Sequence, residues 1–183
     1  METVIRLKKI NNKEIMNAYD ELEHFRSGTG GFDRSGTAGI SLEKLTIELE
    51  SEGGDLYLSL FFHDYLVSLI RDGITVVTKA LSFCGSSAVN IFCAGQNRKC
   101  YTNTVFLIHE ASFPRGYARE DDTTKSMLAN AEFVKTAEDI CYNIYENVSN
   151  KSAYEWKELV KEQGEVLLRG GNAYECGLAT ELL

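Results

Sequence analysis

Apolar residues follow two different spacings along the first two thirds of the chain. Short runs that are apolar throughout, or at every second position, predict strands at 4–7, 45–49, 74–78 and 105–108. Segments with apolar residues three and four positions apart predict helices at 12–25, 56–71 and 86–93. Because helices separate the later strands, we expect right-handed crossovers and an α/β fold with a mostly parallel sheet.

A longer amphipathic helix is predicted from 121 to 148. Its apolar stripe consists of Leu128, Ala131, Val134, Ala137, Cys141, Ile144 and Val148. Phe133, Ile140 and Tyr145 lie off that stripe. A helix that is apolar on more than one side needs more than one covering partner, and another subunit is a candidate for one of them. A short helix at 156–160 and an apolar run at 166–168 then lead to the closing segment 173–178.

Composition and charge narrow the class of protein. At 183 residues the chain is expected to form a single domain, 1–183, with a substantial core. The net charge of −8 argues against nucleic acid, whose binding needs clustered Lys and Arg. Five cysteines without metal-ligand spacing predict reduced thiols and no metal site. No apolar stretch reaches membrane-spanning length and Met1 opens no signal peptide, so a cytoplasmic protein is expected.

A glycine-rich segment at 27–39 has two interpretations. Its glycines and serines are typical of a mobile surface loop, which is the favoured interpretation. The alternative is a phosphate-binding loop, but the segment lacks the Gly-Lys-Ser/Thr ending of a P-loop.

Three features stand at the ends of predicted strands: the Gly53-Gly54 pair, Ser86 and His109. In an open α/β sheet, ligands and chemistry collect at the carboxyl ends of the strands. A hydroxyl, an imidazole and exposed backbone N–H groups are what acyl transfer to serine requires. An oxyanion beside Ser86 could accept hydrogen bonds from the N–H groups of Ser87 and Gly54, where a glycine lets the backbone approach a substrate.

Each of these residues also has a purely structural interpretation. Ser86 alone is typical of a helix cap. A lone histidine after a strand is more often a hydrogen-bonded structural residue, whereas His109 paired with a strand-end serine is a candidate general base. His24 and His63 lie among acidic neighbours on predicted helices and are expected to be solvated.

The order of these segments resembles the proteolytic subunit of the Clp protease, particularly its shorter, phage-type relatives. The resemblance covers 40–178. Its motifs are a strand-end Ser-Glu-Gly-Gly at 51–54, Cys-Gly-Ser-Ser-Ala at 84–88, Ala-Gly at 94–95, the strand 105–109 ending in histidine, and Gly-Leu at 177–178. Glu52 stands where the family has proline.

This resemblance implies a ClpP/crotonase-like fold of repeated ββα units, with a protruding handle helix at 121–148 that interlocks two rings. By position, Ser86 would be the nucleophile, His109 its base, and Gly54 and Ser87 the oxyanion donors. Glu165 stands near the position of the family's aspartate and would complete the triad. The segment that pairs with an extended peptide would contain Phe113, Pro114 and Gly116.

The triad acid and the nucleophile each have an alternative assignment. Glu165 is either the triad acid or a surface residue on a polar turn; Glu110 is a poorer candidate, since adjacent strand residues point to opposite faces. Counting forward from the strand at 74 gives Cys84 rather than Ser86 as nucleophile, whereas counting back from His109 gives Ser86, which we adopt. A Cys84 thiolate beside His109 would also be a nucleophile.

The resemblance therefore implies a serine endopeptidase that cleaves unfolded polypeptides inside homo-oligomeric rings, stacked heptamers in the family, without a cofactor. An ATP-driven unfoldase is the partner that the family implies. The alternatives are a catalytically inactive ring subunit, a crotonase-type acyl-CoA enzyme and a phage capsid-maturation protease.

Overall fold

A computed structural model describes residues 1–26, 42–111 and 123–183. The elements of the first half are β1 (Glu2–Leu7), α1 (Asn12–Arg26), β2 (Lys44–Ser51), α2 (Leu56–Arg71), β3 (Thr75–Gly85) and α3 (Ser87–Cys93). Those of the second half are β4 (Asn97–Cys100), β5 (Val105–His109), α4 (Thr124–Val148), α5 (Ala153–Gln163), β6 (Glu165–Arg169), α6 (Gly170–Glu175) and β7 (Glu181–Leu182). The segments predicted at 27–39 and 113–116 lie outside the described residues.

Within the described ranges, one sheet contains seven strands. Its main path runs β1-β2-β3-β4-β7, and β5 joins it by pairing with β3. These pairs are all parallel, while β6 adds to β5 in the antiparallel direction. The predicted α/β fold with a mostly parallel sheet is confirmed.

Short polar side chains begin the helices. Asn11 Oδ1 accepts the Glu14 N–H at the start of α1, and Asp55 Oδ1 accepts the Leu58 N–H at the start of α2. Such caps satisfy backbone donors that have no acceptor within the helix. The cap at Asp55 directly follows the Gly53-Gly54 pair, so it fixes where the chain turns from β2 into α2.

Strand β3 is longer than the apolar run 74–78 predicted, because it continues to Gly85. Its first half pairs with β4 and its last three residues pair with β5. Between these halves the register with β2 shifts: β2 advances two residues, Leu49 to Ser51, while β3 advances four, Ala80 to Cys84. A bulge of this kind interrupts the alternation of side chains, so the pattern ended the strand early.

The two extra residues in the β3 bulge explain why counting forward from residue 74 gave Cys84 and counting back from His109 gave Ser86. Forward counting assumes a regular strand and therefore falls two residues short, at Cys84. The structure places Cys84 inside β3, fully buried in the core, and Ser86 at the carboxyl end of the strand.

The core encloses α3 completely, since all seven of its residues are buried. Phe92 of α3 packs against Phe106 of β5 with ring centroids 4.9 Å apart. A helix packed on every side holds its first residues rigidly. The turn before α3, which contains Ser86, therefore leads into a fully packed helix.

Helix α4 is packed unevenly. Towards its C-terminal end Tyr145 is buried against Trp156 of α5, with ring centroids 6.0 Å apart. Towards its N-terminal end Leu128 is 67% exposed although it belongs to the predicted stripe. Met127, Phe133 and Ile140 are also exposed. The described chain thus covers only part of the apolar surface of α4.

None of the described helices is both long enough and apolar enough to cross a bilayer. All five cysteines are buried and none forms a disulfide.

Candidate active site

Ser86 occupies a sharp turn between β3 and α3 with an unusual backbone conformation. Its φ of 54° makes it the one non-glycine residue with positive φ in the described part of the chain. Such a conformation costs about 1–3 kcal/mol and is found mainly where function requires it. The Ser86 N–H donates to the Leu107 carbonyl at 2.7 Å, which anchors the turn to β5.

The hydroxyl of Ser86 does not cap α3. Ser86 stands at the N-cap position, but its side chain makes no capping hydrogen bond. Hydrolases of the α/β class place their nucleophile on a strained strand-to-helix turn of this kind, where the hydroxyl is presented to the substrate. The backbone of Ser86 therefore has the geometry of a nucleophile turn and not that of an ordinary cap.

Gly53 and Gly54 are required by close backbone packing around this turn. A Cβ on Gly53 would stand 2.7 Å from the Cβ of Ser86, and its φ of +104° is unfavourable for other residues. A Cβ on Gly54 would meet the carbonyl oxygen of Ile10. Close approach to the loop before α1 is thus a reason for glycine at this position that the sequence did not predict.

Two backbone N–H groups beside Ser86 lie outside the regular hydrogen-bond ladders. Ser87 is the first residue of α3, where an N–H has no acceptor within the helix. The parallel bridge between Ile10 and Gly54 uses the Asp55 N–H and the Gly53 carbonyl, so the Gly54 N–H takes no part in it. Both residues border the same cavity as Ser86.

His109 ends β5 and is half-buried. Its Nδ1 lies 2.6 Å from the Glu110 carbonyl oxygen. Because a carbonyl only accepts hydrogen bonds, Nδ1 carries the proton in the neutral ring and Nε2 keeps its lone pair. This is the tautomer that a general base acting through Nε2 needs.

Ser86 and His109 line one cavity of about 200 Å³. Gly54 and Ser87 contribute to the same wall. The remaining lining residues come from the start of α2, from α3, from the end of β5 and from one face of α4: Asp55, Leu56, Tyr57, Asn90, Ile108, Ala111, Val134, Glu138, Cys141, Tyr142 and Tyr145. Four of the five residues singled out in the sequence are therefore brought together.

Glu165 is the fifth, and it lies on the opposite strand. It begins β6 and pairs directly with His109 across the antiparallel ladder, so the two side chains leave the same face of the sheet. Glu165 is exposed, and among the described residues it makes no hydrogen bond to the imidazole, whose Nδ1 faces the Glu110 carbonyl instead. The turn expected around Glu165 is a strand.

Two other sequence candidates, Glu110 and Cys84, do not line the cavity. Glu110 contributes its backbone carbonyl to His109, while its own side chain is exposed. Burial raises the pKa of the Cys84 thiol well above its usual value. A thiol in that state forms little thiolate, and Cys84 does not line the cavity.

The wall formed by α4 was not predicted from the sequence. Glu138, Cys141, Tyr142 and Tyr145 are three and four residues apart, so they share a helix face. That spacing was visible, but it indicated only a packed helix and not what the helix faces. Burial raises the pKa of the Glu138 carboxyl, and the carboxylates of Glu110 and Asp139 add to this effect.

The described residues contain no group of three or more His, Cys, Asp or Glu side chains arranged to hold a metal ion. The cavity is smaller than the roughly 300 Å³ at which pockets for drug-sized ligands begin. Its size suits one amino-acid side chain.

No family model and no curated protein matches this chain by sequence. Among solved structures, its fold is similar to that of a mutant form of ClpP1 from Listeria monocytogenes. The two chains share 17% sequence identity with a TM-score of 0.73, and the match covers 98% of this chain and 90% of that one. The chain has a ClpP-like fold, as its motifs predicted.

Proposed function

We propose that this chain is a serine endopeptidase that hydrolyses peptide bonds in unfolded polypeptides. The observation that carries the proposal is the strained, uncapped Ser86 in one cavity with His109. The ClpP-like fold supports it, since the fold neighbour is a ClpP1.

In this mechanism Ser86 Oγ attacks the peptide carbonyl carbon while Nε2 of His109 takes the hydroxyl proton. The N–H groups of Gly54 and Ser87 stabilise the oxyanion that forms. The C–N bond then breaks as His109 returns the proton to the leaving amine. Water attacks the acyl-enzyme by the same proton transfers and releases the second product. No cofactor takes part.

Two groups prepare His109 for its role in this proposal. The Glu110 carbonyl holds Nδ1–H and thereby fixes the tautomer. The Glu165 carboxylate, opposite His109 on β6, stabilises the imidazolium that forms when the ring accepts the proton. Glu165 thus acts through charge on the same face of the sheet.

We further propose that the chain works in a homo-oligomeric ring, with stacked heptamers as the expected form and an ATP-driven unfoldase as a partner. The exposed apolar residues in the first half of α4 support an assembly in which a second copy covers them. The unpaired, buried cysteines favour a reducing compartment such as the cytoplasm.

A non-catalytic ring subunit is the second candidate function. It is favoured by the contact of His109 Nδ1 with a carbonyl instead of a carboxylate. In that case Ser86 and His109 would only shape a cavity that binds peptides.

Cleavage of an unfolded protein separates the two candidates. We expect the wild-type chain to degrade unfolded casein, and the Ser86→Ala and His109→Ala variants to lose activity by at least about 10³-fold. Circular dichroism of each variant controls for folding. Assembled wild-type protein without cleavage would favour the non-catalytic subunit.

A further inference from the structure

The cavity beside Ser86 contains a carboxylate that the proposed mechanism does not use. Glu138 of α4 lines this cavity and is half-buried. Its Oε1 accepts the Ala111 N–H just after β5, which holds the side chain in place. Among the described residues no hydrogen bond is made to Oε2, so this oxygen can accept a hydrogen bond from a ligand.

The charges around Glu138 are mostly negative. Burial raises the pKa of Glu138 most, the carboxylates of Glu110 and Asp139 raise it further, and the Ala111 N–H and Lys157 lower it. Lys157, however, forms an ion pair with Asp139 at 2.7 Å. None of the described lining residues is a lysine or arginine. A positive charge that enters the cavity would therefore meet carboxylates that no lysine or arginine of the described cavity wall neutralises.

The floor of the cavity is polar and fixed. Asn90 is fully buried; its Oδ1 accepts the Tyr145 hydroxyl at 2.8 Å, and its Nδ2 donates to Ser59 Oγ and Cys141 Sγ. These bonds use three of the four that an asparagine side chain can make, so the network is rigid.

Ser87 adds a second polar group that points to a ligand. Its Oγ is buried and has no hydrogen-bond partner in the described part of the chain. Buried polar atoms are nearly always paired, so an unpaired hydroxyl in a cavity wall indicates a partner supplied from outside. Ser87 comes directly after the predicted nucleophile in the chain. A substrate side chain bound next to Ser87 would therefore belong to the residue that carries the scissile carbonyl.

The other walls suit an aliphatic stem. Ile108 and Val134 lie along the cavity together with the ring of Tyr57. Lysine and arginine bury their methylene groups on apolar surface while placing the charged end at polar partners. The cavity provides both kinds of surface: apolar walls for the methylene groups, and the Glu138 carboxylate for the charged end.

We propose that this cavity is the specificity pocket of the enzyme and selects a lysine or arginine on the acyl side of the scissile bond, with Glu138 as its charge partner. The inference rests on the proposed peptidase function, since it names the substrate class of that same site. Glu138 is a specificity-determining residue and has no part in the bond-making steps.

Two phosphonate probes that differ only in charge test this inference. Peptidyl diphenyl phosphonates with lysine or with uncharged norleucine in the first position are incubated with the protein, and the rate of Ser86 modification is followed by mass spectrometry. We expect the lysine probe to react at least tenfold faster. In Glu138→Gln, which keeps an acceptor for the Ala111 N–H, this ratio should fall about 10- to 100-fold, the effect of one hydrogen bond between charged groups.

Glu146→Gln is the matched control, because it removes an exposed carboxylate from the same helix away from the cavity. It should keep the wild-type ratio. Faster reaction of the norleucine probe, or an unchanged ratio in Glu138→Gln, overturns the inference while leaving the peptidase intact. If neither probe modifies Ser86, the proposed function fails and this inference fails with it.

Discussion

At the scale of single residues, the conformation of Ser86 depends on a neighbour that has no side chain. A Cβ added to Gly53 would lie 2.7 Å from the Cβ of Ser86 and 2.8 Å from the carbonyl oxygen of Gly85. Both distances are too short for a methyl group. The position of the Ser86 hydroxyl is thus set from the β2 side as well as by its own strand.

Substituting Gly53 by alanine should therefore lower kcat/KM by more than the accompanying loss of unfolding free energy would explain. We expect Gly53→Ala to lose about 2–5 kcal/mol of unfolding free energy, from its positive φ and from the conflict with Ser86 and Gly85, and about 100-fold in kcat/KM from displacement of Ser86. Urea unfolding and peptide hydrolysis measure the two effects.

Gly73→Ala is the matched control for Gly53→Ala. Gly73 also has a positive φ, +89°, but a Cβ there meets nothing within 4 Å. It should lose only the roughly 1–2 kcal/mol that its positive φ costs, and it should keep its kcat/KM. Equal activity losses in both variants would contradict a specific role for Gly53.

The contact between His109 and the Glu110 carbonyl leads to a second prediction at this scale. Since a backbone group already fixes the tautomer, Glu165→Gln should lower kcat/KM by about tenfold at most. A triad whose carboxylate fixes the tautomer loses about 10⁴-fold on the equivalent change. A loss of that size would show that Glu165 holds the ring directly; Glu162→Gln, on the preceding helix, controls for surface charge.

At the scale of elements, the sequence predicted most helices and strands and missed those whose boundaries depend on tertiary pairing. The helix 56–71 was predicted with the bounds it has, because its apolar spacing is a local signal. The end of β3 was not, since the bulge after Ala80 is defined only by pairing with β2, β4 and β5.

The same distinction applies to the candidate site. Ser86, His109 and the glycine pair stand at strand ends, so the order of elements was enough to bring them together. The α4 wall with Glu138 was missed because its place depends on how a long helix packs against α2 and α3. No local pattern indicates such packing.

One arginine connects several elements near the C-terminal end of α4. The guanidinium of Arg98 donates to the carbonyl groups of Gly95, Val148, Gly177 and Leu178 at 2.8–3.2 Å. Carbonyl groups at a helix end lack intrahelical donors, and a planar guanidinium can reach several at once. Arg98 thereby fixes α4 relative to the turn after α3.

Lysine should not replace Arg98, although it keeps the charge. We expect Arg98→Lys to lower the unfolding free energy by about 2–4 kcal/mol, since a single ammonium cannot reach all four carbonyl groups. Lys99→Gln, which removes an exposed ion pair with Glu181, should change it by less than about 0.5 kcal/mol. Urea denaturation measures both, and equal effects would contradict the assignment.

At the scale of the whole molecule, the fold leaves a long helix with uncovered apolar surface. Met127 and Leu128 of α4 are 48% and 67% exposed, which is unusual for adjacent large apolar residues. We attribute this surface to contact between copies of the chain, as the proposed ring assembly requires.

Charged residues at these positions should reduce the size of the assembly. We expect Met127→Glu with Leu128→Glu to shift the mass measured by size-exclusion chromatography with light scattering to a smaller species, because burying carboxylates in an apolar contact is costly. Tyr154→Glu, at an exposed aromatic residue of α5, should not change the mass. A monomeric wild-type chain, or equal masses for all three, would contradict the assembly.

Covalent labelling tests most directly whether Ser86 is a nucleophile activated by His109. The protein is treated with a fluorophosphonate, digested, and the modified residue is identified by mass spectrometry, with His109→Ala as comparison. We expect a single modification on Ser86 that is lost in that variant. An unmodified Ser86, or equal modification with and without His109, would contradict it.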